Sequence, residues 1–124
     1  MKSANPFVIV ENCKEVVEHY QKIFGGDIKV LNEHPGKVLH AELHIGDTLI
    51  HFSDSYGQEY TIGDNTKIIL LFESEEEIRR VYDVLGENGK VTVELQDTFF
   101  GALHGQVFDK NNINWVMNYF KEQN

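Results

Sequence analysis

The chain has 124 residues, 41% hydrophobic and 25% charged, with a formal net charge of −9. That length suits one compact domain with a real core and is too short for two ordinary ones. No run of about 18 apolar residues exists, which excludes a membrane-spanning helix. The acidic balance leaves no basic surface to displace phosphate counterions and argues against nucleic acid. It is compatible with a cationic small-molecule ligand, although solubility alone also accounts for it.

The N-terminal MKSANPFVIV lacks a signal peptide's long apolar stretch and runs straight into a strand-like segment, PFVIVE at Pro6 to Glu11. The single cysteine, Cys13, rules out an internal disulfide and fits a reducing cytoplasm. Asn12-Cys13-Lys14-Glu15 then reads as a capping-box helix start. Val16, Val17, Tyr20, Ile23 and Phe24 follow at helical spacing. Cys13 at a helix start is a candidate nucleophile by position, but no base can be assigned to it, and a structural role is the simpler reading.

Three strand-like runs follow: Asp27 to Asn32, Val38 to Ile45 and Thr48 to Ser53, the last two joined by a Gly46-Asp47 hairpin turn. The turn-rich segment Asp54 to Asn65 reads as a linker. A second strand, Ile68 to Glu73, leads into a second capping box, Ser74-Glu75-Glu76-Glu77, with Ile78, Val81, Tyr82 and Leu85 behind it. The acidic run is favourable at a helix N-terminus and needs no functional explanation. Three more strands are expected at Lys90 to Gln96, Leu103 to Asp109 and Ile113 to Phe120. Asp109-Lys110-Asn111-Asn112 is a turn whose residue types tolerate positive φ. A shift of 62 residues carries Glu11 onto Glu73, Asn12 onto Ser74, Glu15 onto Glu77 and Tyr20 onto Tyr82. The organisation is therefore βαβββ twice: module one at 1–53, the linker at 54–65 and module two at 66–124. The expected fold class is α+β, with curved, mostly antiparallel sheets. Each sheet would place one face on its own helix and turn the other toward a cavity, shared within the chain or with a partner chain.

The hairpin GKVLHAELHIGDTLIHFSD, Gly36 to Asp54, holds three of the six histidines. Strand alternation sorts it into two faces. Leu39, Ala41, Leu43, Ile45, Ile50 and Phe52 form an apolar face for the helix. Val38, His40, Glu42, His44, Leu49, His51 and Ser53 form the other, with Glu42 opposite His51. Three readings stand side by side. The second face is an ordinary solvated surface, or a ligand-binding wall, or a metal site of His40, Glu42 and His51, whose ligand types suit zinc, iron or nickel.

In the second module, Phe99 and Phe100 lie in a strand connection, where they either cap a ligand or anchor the loop. Trp115, Met117 and Tyr119 alternate as core, which leaves Asn114, Val116 and Asn118 for the opposite face, the two asparagines as neutral hydrogen-bonding groups. His104 has no assignable face; His19 and His34 have no evident partner.

The paired modules resemble the vicinal-oxygen-chelate superfamily of glyoxalases, bleomycin- and fosfomycin-resistance proteins and extradiol dioxygenases. HYQKIFGGDI, HAELHIGDTLIHFSD and LQDTFFGALHGQVFDKNNINW are similar in particular to its PhnB-like branch, also labelled 3-demethylubiquinone methyltransferase-like. The resemblance implies a homodimer. It also implies metal ligands at four strand positions, which fall here near Asn5 and on His51, Lys67 and Val116. Only His51 among these binds a metal well. No glycine-rich loop follows a strand, so the methyltransferase label has no support and no cofactor is expected. The expectation is a small-molecule binding protein without the superfamily's metal, its ligand contacts being His40, Glu42, His51, Phe99, Phe100, Asn114 and Asn118. The alternative is an enzyme of lyase, isomerase or dioxygenase type with a non-standard site at His40, Glu42 and His51.

Overall fold

The computed structural model describes residues 1–121; the last three residues of the second module, 122–124, lie outside the described residues. The chain forms two compact units, one spanning Met1–Thr61 and the other beginning at Ile62. Among the described residues, no helix is long and apolar enough to cross a membrane.

The first unit runs β1 (Phe7–Ile9), α1 (Cys13–Phe24), β2 (Asp27–His34), β3 (Lys37–Ile45) and β4 (Thr48–Ser53). Its sheet has the order β1-β4-β3-β2, with β1 parallel to β4 and the other pairs antiparallel. The second unit repeats this as β5 (Ile68–Leu71), α2 (Glu75–Gly86), β6 (Lys90–Asp97), β7 (Ala102–Phe108) and β8 (Asn114–Phe120). Its order is β5-β8-β7-β6, again with only the first-strand pair parallel. Helix α2 begins and ends 62 residues after α1, as the repeat predicts.

Each helix packs through one stripe. On α1 that stripe is Cys13, Val16, Val17, Tyr20 and Ile23, all buried at helical spacing. Tyr20 is fully buried and stacks on Phe52 of β4, ring centroids 5.3 Å apart. On α2 the stripe is Ile78, Val81 and Leu85. Burial of one such side chain stabilises the fold by roughly 1.5–3 kcal/mol, so these stripes rather than intrinsic propensity hold two 12-residue helices.

The two helix starts differ. Ser74 caps α2 as expected, its Oγ accepting the Glu77 backbone N–H at 3.1 Å. The expected cap at Asn12 is absent: Asn12 adopts the left-handed conformation with φ 56° and its side chain makes no capping bond. Its neighbour Cys13 enters the core instead and donates its S–H to the Phe52 carbonyl of β4. At the other end of α1, Gly26 has φ 91°, and a Cβ there would sit 2.1 Å from the His44 carbonyl oxygen. Glycine is required for the chain to pass that close to β3.

In the second unit the turn after β7 is fixed by buried Asp109. Its Oδ1 accepts the backbone N–H groups of Asn111 and Ile113, and its Oδ2 accepts the indole N–H of Trp115 at 2.7 Å. Asn112 supplies the positive φ expected of this turn, at 65°. Trp115 and Met117 are fully buried, and Tyr119 is half-buried.

Candidate functional site

The candidate residues fall into two groups, one in each unit. In the first, the Gly46-Asp47 turn sets the register of the hairpin: His40 lies opposite Ser53, Glu42 opposite His51, Leu43 opposite Ile50 and Ile45 opposite Thr48. Leu39, Ala41, Leu43, Ile50 and Phe52 are buried toward α1. His40, Glu42, His44 and His51 emerge together on the other face. Parallel pairing adds Phe7 of β1 beside His51. The Phe7 ring is more than half exposed, stacks on His51 at 6.0 Å and meets His40 edge-on at 5.5 Å. Lys29 of β2 flanks Glu42 from the other side.

His40 Nε2 and His51 Nδ1 are 3.0 Å apart, a hydrogen bond between two ring nitrogens. The Glu42 carboxylate accepts a hydrogen bond from His44 Nε2 at 2.8 Å, and its other oxygen lies 3.8 Å from His51 Nδ1. Partial burial, then the neighbouring His51, push the His40 ring below the ordinary histidine range. The hydrogen bond from His44 holds the Glu42 carboxyl below the ordinary carboxylate range, with a further contribution from His51. A neutral His40 carries one ring proton, so one nitrogen of the pair donates and the other accepts, the direction following the tautomer. The nitrogens of His40 and His51 are thus directed at each other rather than at a common third point. Among the described residues, no group of three or more His, Cys, Asp or Glu side chains is arranged to hold a metal ion.

The second unit resolves the face of His104. It pairs with Asn118, and Gln106 pairs with Val116, so all four share the face opposite α2. They form a chain with defined direction. Lys67 Nζ can only donate, and it donates to Gln106 Oε1 at 2.7 Å. The Gln106 amide nitrogen therefore donates to His104 Nε2 at 3.1 Å, and His104 Nδ1–H donates to Asn118 Oδ1 at 2.7 Å. The sequence reading placed Asn118 on this face but missed His104, Gln106 and Lys67 as its partners. The i, i+2 spacing of His104 and Gln106 is the signal that would have found them, had the strand's register been fixed.

Asn114 is buried on the same strand face, and its amide donates to the Gly63 carbonyl at 3.0 Å. Phe99 is fully exposed at the tip of the β6–β7 connection and does not anchor that loop to the core. Phe100 is partly exposed and meets the rings of His104, at 5.9 Å, and Phe120, at 6.3 Å. Cys13 is buried, and desolvation followed by the Asp54 charge pushes its thiol up to about 11, which is the opposite of nucleophile activation.

The two faces occupy equivalent places in the duplicated topology. Pairing of the first strand with the last aligns Phe7 and His51 with Ile69 and Val116. Pairing of the last two strands aligns His40 with His104, Glu42 with Gln106 and Ser53 with Asn118.

The family model of the Glyoxalase/Bleomycin resistance protein/Dioxygenase superfamily matches residues 4–117. The chain belongs to this superfamily. It is 26% identical to Protein YjdN of Escherichia coli K12 over 133 aligned positions, which cover 90% of each protein. Among solved structures it is similar to protein PA1353 from Pseudomonas aeruginosa, with a TM-score of 0.86 at 24% identity, covering 98% of this chain and 100% of that one. It is also similar to a PhnB protein from Bacillus cereus, with a TM-score of 0.78 at 24% identity, covering 95% and 99%. These likenesses establish the glyoxalase-type fold.

Membership raises the question of the superfamily's metal. The positions that the resemblance gives are near Asn5 and at His51, Lys67 and Val116, and the strand partners of His51 and Val116 are Phe7 and Ile69. Phenylalanine, isoleucine and valine carry no donor atom. With Lys67 donating to Gln106, the four positions offer one imidazole between them and do not fit the group.

Proposed function

We propose that this superfamily member binds a small organic molecule directly on the polar faces of its sheets, without the superfamily's metal. The observation that carries this reading is that His51 and Val116 are paired with the apolar Phe7 and Ile69, while polar groups remain clustered next to them. In the first unit an exposed aromatic ring, Phe7, lies against a pair of imidazoles, one of which, His51, neighbours the Glu42 carboxylate. A planar or cationic ligand would stack on the one and hydrogen-bond to the others. In the second unit Asn114 and Asn118 supply neutral groups, and Phe99 and Phe100 supply exposed aromatic surface. The net charge of −9 favours a cationic ligand. The same reading takes the protein as a cytoplasmic homodimer, to be checked by light scattering of the purified chain.

The test is native mass spectrometry and elemental analysis of freshly purified protein. The expected result is a co-purified organic compound and no stoichiometric zinc, nickel, iron or manganese. About one metal per chain, lost in His51→Ala, would overturn the proposal.

A second reading is favoured by one observation, the placement of His51 Nδ1 between Glu42 and His40. In the tautomer with its proton on Nδ1, His51 presents Nε2 as an acceptor, which is the arrangement of a general base. In that case a substrate screen would show turnover that His51→Ala abolishes with the fold intact.

A further inference from the structure

The second unit contains a cleft of about 410 Å3, lined by Ile62, Gly63, Asp64, Lys90, Thr92, Phe108 and Asn114. That volume lies within the range of small-ligand sites. Its floor is one row across three strands: Lys90 of β6 pairs with Phe108 of β7, which pairs with Asn114 of β8. Paired residues point to the same face, so a cation, an aromatic ring and an amide stand side by side.

The polar groups around this floor are left open. Asn114 is 8% exposed; its amide nitrogen is committed to the Gly63 carbonyl, but its Oδ1 accepts no bond among the described residues. No fully buried side-chain oxygen or nitrogen lacks a partner among the described residues, so this Oδ1 opens to solvent rather than to the interior. Lys90 and Asp64 line the same cleft with opposite charges, yet neither forms an ion pair, with the other or with any described residue. The Thr92 hydroxyl is likewise unbonded among the described residues. A cleft that holds both charges apart over an aromatic floor is complementary to a ligand with both charges and an apolar part.

We propose that this cleft takes a small zwitterion bearing an apolar substituent, of amino-acid type. Its carboxylate is met by Lys90 and Thr92, its ammonium by Asp64 and Asn114 Oδ1, and its substituent by Phe108 and Ile62. This assignment rests on the reading of the chain as a small-molecule binder and gives its second unit a ligand class.

The test is titration of the full chain with L-leucine, N-acetyl-L-leucine and L-leucinamide, followed by amide chemical shifts. Free leucine is expected to saturate, with shifts centred on Gly63, Lys90, Phe108 and Asn114. Blocking either charged end should weaken binding by about tenfold or more, as should Lys90→Met or Asp64→Asn. Lys110→Met serves as the charge control and should bind as wild type. Equal binding of the blocked forms, or no saturable binding of leucine, overturns the assignment. Leucine shifts confined to the His40–His51 face would overturn it while leaving small-molecule binding intact. A broad ligand screen without a single binder would overturn the binding reading itself.

Discussion

His40 Nε2 and His51 Nδ1 share one proton across 3.0 Å. If both rings were protonated, every ring nitrogen would be a donor and the contact would become repulsive. The neighbours that face this pair are Glu42 and His44 of β3, Lys29 and Asp27 of β2 and the uncharged Phe7 of β1. Acid should therefore loosen this face first.

The sign follows from the His40 ring, which burial and then His51 hold below its ordinary value of 6.5. As pH falls below 6.5 the unfolded chain takes up this proton before the folded chain does, so stability declines. The contribution is complete above 6.5 and is lost as pH drops toward the lower folded value. His40→Gln should flatten the pH dependence of the denaturation midpoint in that window. An NMR titration showing His40 protonating above 6.5 in the native protein would reject this.

Glu42 behaves in the same direction at lower pH. The hydrogen bond from His44 depresses its carboxyl below the ordinary 4.5, so its contribution is present above 4.5 and lost as pH falls through the folded value. His44→Ala should raise the Glu42 midpoint toward the ordinary carboxylate range. Carboxyl-carbon NMR on the variant reads this directly; an unchanged midpoint would assign the depression to another neighbour.

Cys13 should be inert in the native state. With its thiol pushed up to about 11 by burial and the Asp54 charge, almost no thiolate exists at pH 8. A chromogenic disulfide reagent should label the protein only after urea unfolds it. Rapid labelling without denaturant would mean that the start of α1 opens locally.

The adjacent glycines Gly25 and Gly26 should respond differently to alanine. At Gly25 a Cβ meets nothing within 4 Å, so only the backbone is penalised: φ 79° with ψ −162° is a region open essentially to glycine alone, at about 1–3 kcal/mol. At Gly26 the Cβ would collide with the His44 carbonyl at 2.1 Å, and β3 or α1 must shift at a cost of more than ~3 kcal/mol. Urea midpoints of the two variants give the comparison; equal losses would show that β3 yields readily.

Much of the fold was legible in the sequence. The helices were readable because their buried stripes recur at helical spacing in both modules, and the β3–β4 register because a two-residue turn leaves one pairing. The Asn12 cap was misread because asparagine serves equally as a cap and as a left-handed residue, and the pull of Cys13 toward Phe52 decides between them. The second unit's polar chain stayed hidden for a different reason. Strand β6 shifts register twice, between Val91 and Val93 and between Val93 and Gln96, so nothing local tells which way His104 points. Its donor Lys67 lies 39 residues from Gln106 in sequence. The cleft at Asn114 depends on Gly63 and Asp64, within a segment that reads only as linker.

The matched pairs His40/His104 and Glu42/Gln106 give the molecule an internal reference. Glutamine is the uncharged isostere of glutamate, so a single polypeptide carries both arms of a charge-removal experiment on one backbone plan. One set of spectra compares an imidazole near a carboxylate with an imidazole beside an amide, at identical salt, temperature and pH. Exchanging the two residues, Glu42→Gln with Gln106→Glu, would show whether acid sensitivity travels with the carboxylate or stays with the strand.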